Sequence, residues 1–352
     1  MIRLLILFGG KSSEHDVSCM STASILNNID KTKYEVTTVG ITKEGEWFLT
    51  SATPEQIKDG TWKEKTDNKR ATVNFDKANK GLIIEDGKTI PLDCVMIMMH
   101  GKNAEDGTMQ GFWEIVGIPY TGPGVMASAN GMDKVTAKII AKDLGVNQAA
   151  YAWTDRNKFA LGPEKEFSRI EKELGDKYPL FVKPANSGSS IGITRVTNRK
   201  ELFEGIKFAA EFDTRIVIEE GIVGREIEVA VLGNRSPKAS RIGEIFSAND
   251  GIYDYESKYI DSHSTTRIVT DLPEDVETMI RNTAVKIYQA FDCRGLSRVD
   301  FFYTEDGKLI FNEINTLPGF THISMYPQLW EDMGLSYSEL IDNLIQLAME
   351  EK

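Results

Sequence analysis

Several things are scarce in this sequence, and each scarcity closes a class of reading. Its three cysteines, Cys19, Cys94 and Cys293, are odd in number, far apart and outside any C-x-x-C. That gives no basis for a disulfide framework or a zinc site and suits reduced core thiols in a cytoplasmic protein. Positive charge is in deficit: 41 Lys and Arg against 53 Asp and Glu give a formal charge of -12. Binding a nucleic-acid backbone takes a clustered basic face, so no nucleic-acid partner is expected, and any anionic ligand must meet cations placed locally. The N-terminal MIRLLILFGG is too short for a membrane span, lacks a signal-peptide cleavage pattern and reads as a first buried strand, so no membrane partner is expected. There is no internal repeat, and no tract rich in Pro, Gly or Ser marks a tether.

What is present is an ordinary globular mixture, 41% hydrophobic and 27% charged over 352 residues, long enough for two or three domains. From residue 3 to about 120, RLLILF, a helix-like SCMSTASILNNI, EVTTVGI, LDCVMIMM and a helical MQGFWEIVG alternate β with α. The alternation predicts an open, mostly parallel sheet covered by helices. The pattern changes near Thr121-Gly122-Pro123-Gly124, where MDKVTAKIIAKDLG reads as an amphipathic helix and YPLFVKPA as a strand. From TRIVIEEGI onward strands dominate, with helices near 274–292 and 335–349. The expected units are 1–121 (α/β), 122–213 (a smaller central unit) and 214–352 (α+β).

Three stretches can carry chemistry. GGKSSEHDVS, residues 9–18, ends the first strand; it is not a P-loop, because Leu5 stands where the first glycine belongs. Glu14 there suits a cationic group such as an ammonium, and equally suits a first helical turn, where the dipole favours a carboxylate. FVKPANSGSSIG, residues 181–192, puts Lys183 at the lip of a small-residue loop whose N–H groups can cradle phosphate, although many Gly-Ser hairpins bind nothing. In the third stretch SRVDFFY and LIFNEIN flank the turn Glu305-Asp306-Gly307 and pair as a hairpin. That pairing brings Asp300 near Glu313 and Asn315, two residues apart on one side. Three oxygen-bearing side chains between apolar flanks suit a hard cation such as Mg²⁺ better than a solvated face.

Together with HGKNAEDGTMQG (100–111), YTGPGVMASANGMDK (120–134), IEEGIVGREIEVAVLG (218–233), YDYESKY (253–259) and FNEINTLPGFT, these stretches resemble, in order from about residue 3 to 347, the motifs of the D-alanine–D-alanine ligases of the ATP-grasp superfamily. The resemblance implies three domains, ATP between the central and C-terminal ones, and amino acids between these and the N-terminal one. It implies that Lys134 and Lys183 contact ATP phosphates, that Glu219, Glu220 and Ile222 meet adenine, and that Glu226 meets the ribose. Asp300, Glu313 and Asn315 match ligands of two Mg²⁺, with Mn²⁺ an alternative. Arg298 and the Gly319 N–H match an oxyanion-stabilising pair. Glu14, Ser189 and Tyr259 match a hydrogen-bonded trio that orients the first D-alanine under a closing loop, residues 253–266. Lys258 and Ser324 match contacts to the second substrate's carboxylate or the transferring phosphate. His100 serves either the first amino acid or the packing of its turn. A homodimer is also implied.

The implied reaction, D-alanine and ATP giving a D-alanyl phosphate that a second D-alanine attacks, supplies peptidoglycan precursor. It needs this much positive charge because an anion approaches a polyanion: two unit charges ~4 Å apart repel by about 4 kcal/mol at an effective dielectric near 20. Retention of Tyr259 argues against D-lactate as second substrate. Met325 stands where D-serine-forming relatives tend to carry a basic residue, so D-alanine is expected over D-serine, by a margin of only ~10²-fold for a hydrophobic wall. The chain departs from the family at His322-Ile323-Ser324, where many members read Ser-His-Ser. The competing readings are a D-alanine–D-serine ligase, another ATP-grasp ligase acting on a different carboxylate, a kinase, and a nucleotide-binding protein without chemistry.

Overall fold

A computed structural model describes residues 1–76, 78–175, 177–246 and 265–350. Tyr259, Lys258 and most of the stretch 253–266 lie outside the described residues.

The first sheet contains β1 (Ile2–Gly9), β2 (Tyr34–Ile41), β3 (Trp47–Leu49), β4 (Lys69–Asn74), β5 (Gly81–Ile84), β6 (Thr89–Pro91) and β7 (Cys94–Met98), in the order β6-β5-β4-β3-β2-β1-β7. β1 runs parallel to β2 and β7. Leu4 to Phe8 are fully enclosed, the unbroken apolar run that a strand covered on both faces requires. The other four strands pair antiparallel and extend this parallel centre into a mixed sheet. They are three to six residues long, and all but β3 carry exposed positions, which leaves them too short to stand out by periodicity.

The second sheet is β10-β9-β11-β8, antiparallel throughout, from β8 (Tyr151–Asp155), β9 (Leu180–Pro184), β10 (Thr194–Val196) and β11 (Arg215–Glu220). One face is covered by the helices Pro163–Leu174 and Arg199–Phe212, whose Phe167, Ile170, Leu202 and Ile206 meet Val182 and Ile216 in one core. The opposite face is left for the cleft. The third sheet, β14-β13-β12-β15-β16, comes from β12 (Arg225–Leu232), β13 (Lys238–Phe246), β14 (Thr265–Ile268), β15 (Leu296–Tyr303) and β16 (Leu309–Asn315). The helix Glu274–Ala290 covers it.

Two stretches pack away from the unit in which the sequence places them. In the helix Lys134–Asp143, Ala137 and Ala141 join the core of the third sheet. The C-terminal helices Met325–Asp332 and Tyr337–Glu350 join the core of the first, through residues such as Tyr326, Leu340 and Leu344. The first and third sheets are thereby held together by the chain's own end. Among the described residues no helix is long and apolar enough to cross a membrane.

Candidate active site

Between the second and third sheets lies a cavity of about 960 Å³, lined among others by Lys134, Lys183, Ser189, Glu219, Glu220, Ile222, Glu226 and Glu313. Each is placed by simple local rules. Asp133 caps the helix Lys134–Asp143 by accepting from the Thr136 N–H at 2.7 Å, so Lys134 is its first residue and points out of its N-terminus. The Lys134 ammonium donates to the Ser187 carbonyl at 2.8 Å and lies 3.4 Å from the Glu313 carboxylate. Lys183 and Glu219 sit diagonally on the neighbouring strands β9 and β11 and meet at 3.0 Å, within reach for a long side chain on one face.

Glu219 has a second cation, Lys138, at 3.3 Å. Lys138 is only 2% exposed, and its ammonium lies 5.3 Å over the Tyr151 ring. Burial alone would raise the Glu219 pKa; the charges of Lys138 and Lys183 reverse this and hold it low, at about 2. Lys138 is the residue that motif matching passed over. Its signal was the spacing of four from Lys134, which stacks two lysines on one helical face. Glu220 turns aside from the cations and accepts from the Ala150 N–H at 2.8 Å.

The hairpin of β15 and β16 carries the second ionic cluster. Asp300 lies opposite Glu313 and Arg298 opposite Asn315. A bulge between Asp300 and Phe301 leaves Asn312 without an opposite number. This lets Phe311 stack toward Phe301 in the core while Glu313, only two residues on, joins the Asp300 side. Arg298 grips Asp300 through two bonds of 2.8 Å and reaches Glu228 of β12 at 3.1 Å. The Asn315 amide donates to Asp300 at 2.8 Å.

Two carboxylates and an amide from one hairpin are the hard oxygen donors that Mg²⁺ takes, and a half-turn of the amide presents its carbonyl oxygen. Among the described residues no three His, Cys, Asp or Glu side chains form a metal-binding group. Among these residues, the amide and non-protein oxygens would complete such a shell, as Mg²⁺ commonly requires. The donor set fits the ion on those terms.

Glu14 joins the first sheet to this cleft. It stands at the start of the helix His15–Asn28 but its side chain makes no capping bond. Instead its carboxylate accepts from the Ser189 hydroxyl at 2.6 Å, across 175 residues of sequence. A side chain at Gly101 would come within 2.4 Å of that carboxylate, and one at Gly188 within 3.2 Å, so both glycines are there for close approach. Ser189 and Ser190 adopt positive φ of 50° and 58°, a costly conformation for non-glycine residues that marks a loop held by its surroundings.

His100, 3% exposed, is bound to the Leu317 carbonyl at 3.0 Å, to Ser21 at 3.3 Å, and faces Glu105 at 3.7 Å. Burial disfavours its charged form, but hydrogen bonding and charge from Glu105, with Glu14 further off, outweigh that and raise its pKa. It thus ties the first sheet to the Leu317-Pro318-Gly319 turn that follows β16. Ser324 accepts from the Thr321 N–H at 3.1 Å and caps no helix N–H. Met325 is buried against Gly243, a core position away from the lining of the large cavity. His322 is exposed.

Two sheets closing on a cation-lined cavity, with carboxylates on a hairpin at its floor, make up the ATP-grasp architecture. Models of the D-ala D-ala ligase N-terminus and C-terminus match residues 3–123 and 140–346. A D-alanine–D-alanine ligase of Acetivibrio thermocellus is 46% identical, covering 99% of this chain and 96% of the relative. Among solved structures, the VanG D-Ala:D-Ser ligase from Enterococcus faecalis superposes with a TM-score of 0.89 at 37% identity, covering 99% of each chain. The D-alanine-D-alanine ligase from Coxiella burnetii gives 0.88 at 35%, covering 99% of this chain and 94% of that one. The chain belongs to the D-ala D-ala ligase family.

Proposed function

We propose that the protein joins two D-alanine molecules at the expense of ATP, through a D-alanyl phosphate, to give D-alanyl-D-alanine, ADP and phosphate for peptidoglycan precursor synthesis in the cytoplasm. The observation that carries this reading is the bond from Ser189 to Glu14. It sets an amino-acid-sized anionic anchor from the first sheet against a phosphate-type loop at the mouth of the cavity.

In this reading ATP lies in the cavity, its base against Glu219, Glu220 and Ile222, its ribose at Glu226 and its phosphates at Lys134 and Lys183. Asp300, Glu313 and Asn315 would hold Mg²⁺, which when bound neutralises phosphate charge and orients the transferring group. Glu14 holds the ammonium of the first D-alanine, leaving its carboxylate free to attack. The amine of the second D-alanine then attacks the acyl phosphate. Arg298 and the Gly319 N–H meet the oxyanion that forms, where fixed donors act most strongly because water is excluded. Tyr259 and Lys258 are proposed to complete the enclosure.

D-serine as second substrate is the alternative. The likeness to a D-Ala:D-Ser ligase favours testing it. The deciding experiment is phosphate release from Mg·ATP with D-alanine alone, and with D-alanine paired with D-serine or D-lactate, followed by chromatography of the products. Release with D-alanine alone and a dipeptide product are expected. Equal turnover with D-serine would move the assignment to the alternative, and no release with any pair would overturn both.

A further inference from the structure

We propose that Lys138 is a fixed counter-ion for Glu219, there so that Lys183 can leave that carboxylate for a nucleotide phosphate without stranding a buried anion. The inference rests on reading the cavity as a nucleotide site.

Glu219 has two ammoniums, one on each oxygen: Lys138 at 3.3 Å and Lys183 at 3.0 Å. They differ in freedom. Lys138 is carried on a helix, 2% exposed and set over the Tyr151 ring, while Gln148 donates to its backbone carbonyl. Lys183 lies on β9 just before the loop that carries Ser187 to Ser190, and although both lysines border the cavity its side chain is 14% exposed against 2% for Lys138. A phosphate in that cavity competes with Glu219 for Lys183. Were Lys183 the only cation on Glu219, each bond gained by the phosphate would expose a buried carboxylate to the full cost of losing its partner. With Lys138 behind it, Glu219 stays compensated and the exchange is nearly even. Lys138 is on this account a positioning residue that acts through Lys183 and touches no phosphate. Burial lowers its pKa and Glu219 opposes that, as expected of an ammonium kept enclosed by one anion.

The test measures the affinity of ADP and of adenosine by calorimetry in Mg²⁺ buffer and takes their ratio, which isolates the phosphate contribution. Lys138→Met should lower the ADP-to-adenosine ratio by about tenfold, the worth of one charged hydrogen bond, and leave adenosine itself nearly unchanged. Lys138→Met combined with Glu219→Gln should return the ratio to within about threefold of the unmodified protein. Glu219→Gln alone, which does not depend on the Lys138 variant folding, should leave the ratio unchanged or higher. An unchanged ratio in Lys138→Met, an equal loss for adenosine, no recovery in the double variant or a fall in Glu219→Gln would each overturn the inference alone. Failure of the unmodified protein to bind ADP would overturn the reading of the cavity and the inference with it.

Discussion

Glu219 and Glu166 are two buried carboxylates belonging to the same small sheet and its helices, and each is clasped by two cations. Glu219 sits between Lys138 and Lys183, Glu166 between Lys158 at 3.0 Å and Arg169 at 2.8 Å, with Thr154 donating a further bond. Both have pKa values held down to about 2 against the cost of burial. The difference lies in where the cations go. Those of Glu219 are enclosed and line the cavity; Lys158 is 57% exposed and Arg169 30%, on the outer side of the helix layer. A perturbed carboxylate is therefore no sign of function by itself. What separates a site from a staple is whether the partner cations face a space that a ligand can enter.

The sharpest way to break this comparison is at Arg298, the cation held by Asp300 and Glu228 on the hairpin sheet. Arg298→Met is expected to lower kcat by about 10²–10³-fold with little change in ATP binding, read from steady-state phosphate release; a loss below tenfold would remove Arg298 from the chemistry. Next comes Lys183→Met, for which the ATP KM should rise by about 10–100-fold while the D-alanine KM moves little. Glu14→Gln should do the reverse, raising the D-alanine KM by about tenfold and sparing ATP. A uniform loss in both constants would point to a misplaced loop rather than a lost ammonium contact.

The smallest effect on activity is expected at the other carboxylate. Glu166→Gln should leave turnover within about twofold, because Glu166 does not line the cavity, yet cost about 1–3 kcal/mol of stability at neutral pH because Lys158 and Arg169 lose the buried carboxylate they share, with only Glu173 left to Arg169. The sign of the pH dependence follows from the depressed pKa. A folded-state value of about 2, below the ordinary 4.5, means the stabilisation is complete above pH 4.5 and is lost as the pH falls toward 2. Thermal unfolding of both proteins across that window should show their difference shrinking to nothing; a difference that persists at pH 2 would mean that shape rather than charge is responsible.

Much of the cleft was legible in the chain because its residues are local to one another. Asp300, Glu313 and Asn315 lie on a hairpin whose turn and period of two are written in consecutive residues, and Lys183 stands at the end of a strand with its small-residue loop directly after it. The parallel centre of the first sheet was equally plain from three apolar runs. Other features were hidden for identifiable reasons. The four antiparallel strands carry too few residues for their periodicity to register. The bulge at Asn312 shows only once both strands are paired. Met325 reads as a wall for a substrate by position in a motif, and the chain order gives no hint that it packs against Gly243.

By itself, the sequence determined the family, the α/β beginning and the strand-rich end, and the identity of the charged groups, because motif order, hydrophobic period and residue chemistry are properties of neighbours along a chain. Only the tertiary structure decided which charges face each other. Glu14 meets Ser189 across 175 residues, and the last helices close onto the first sheet. Lys138 stands beside Glu219 because two sheets and a helix distant in sequence share one cavity. Ion pairing falls off with distance in space, and distance in space is what folding sets.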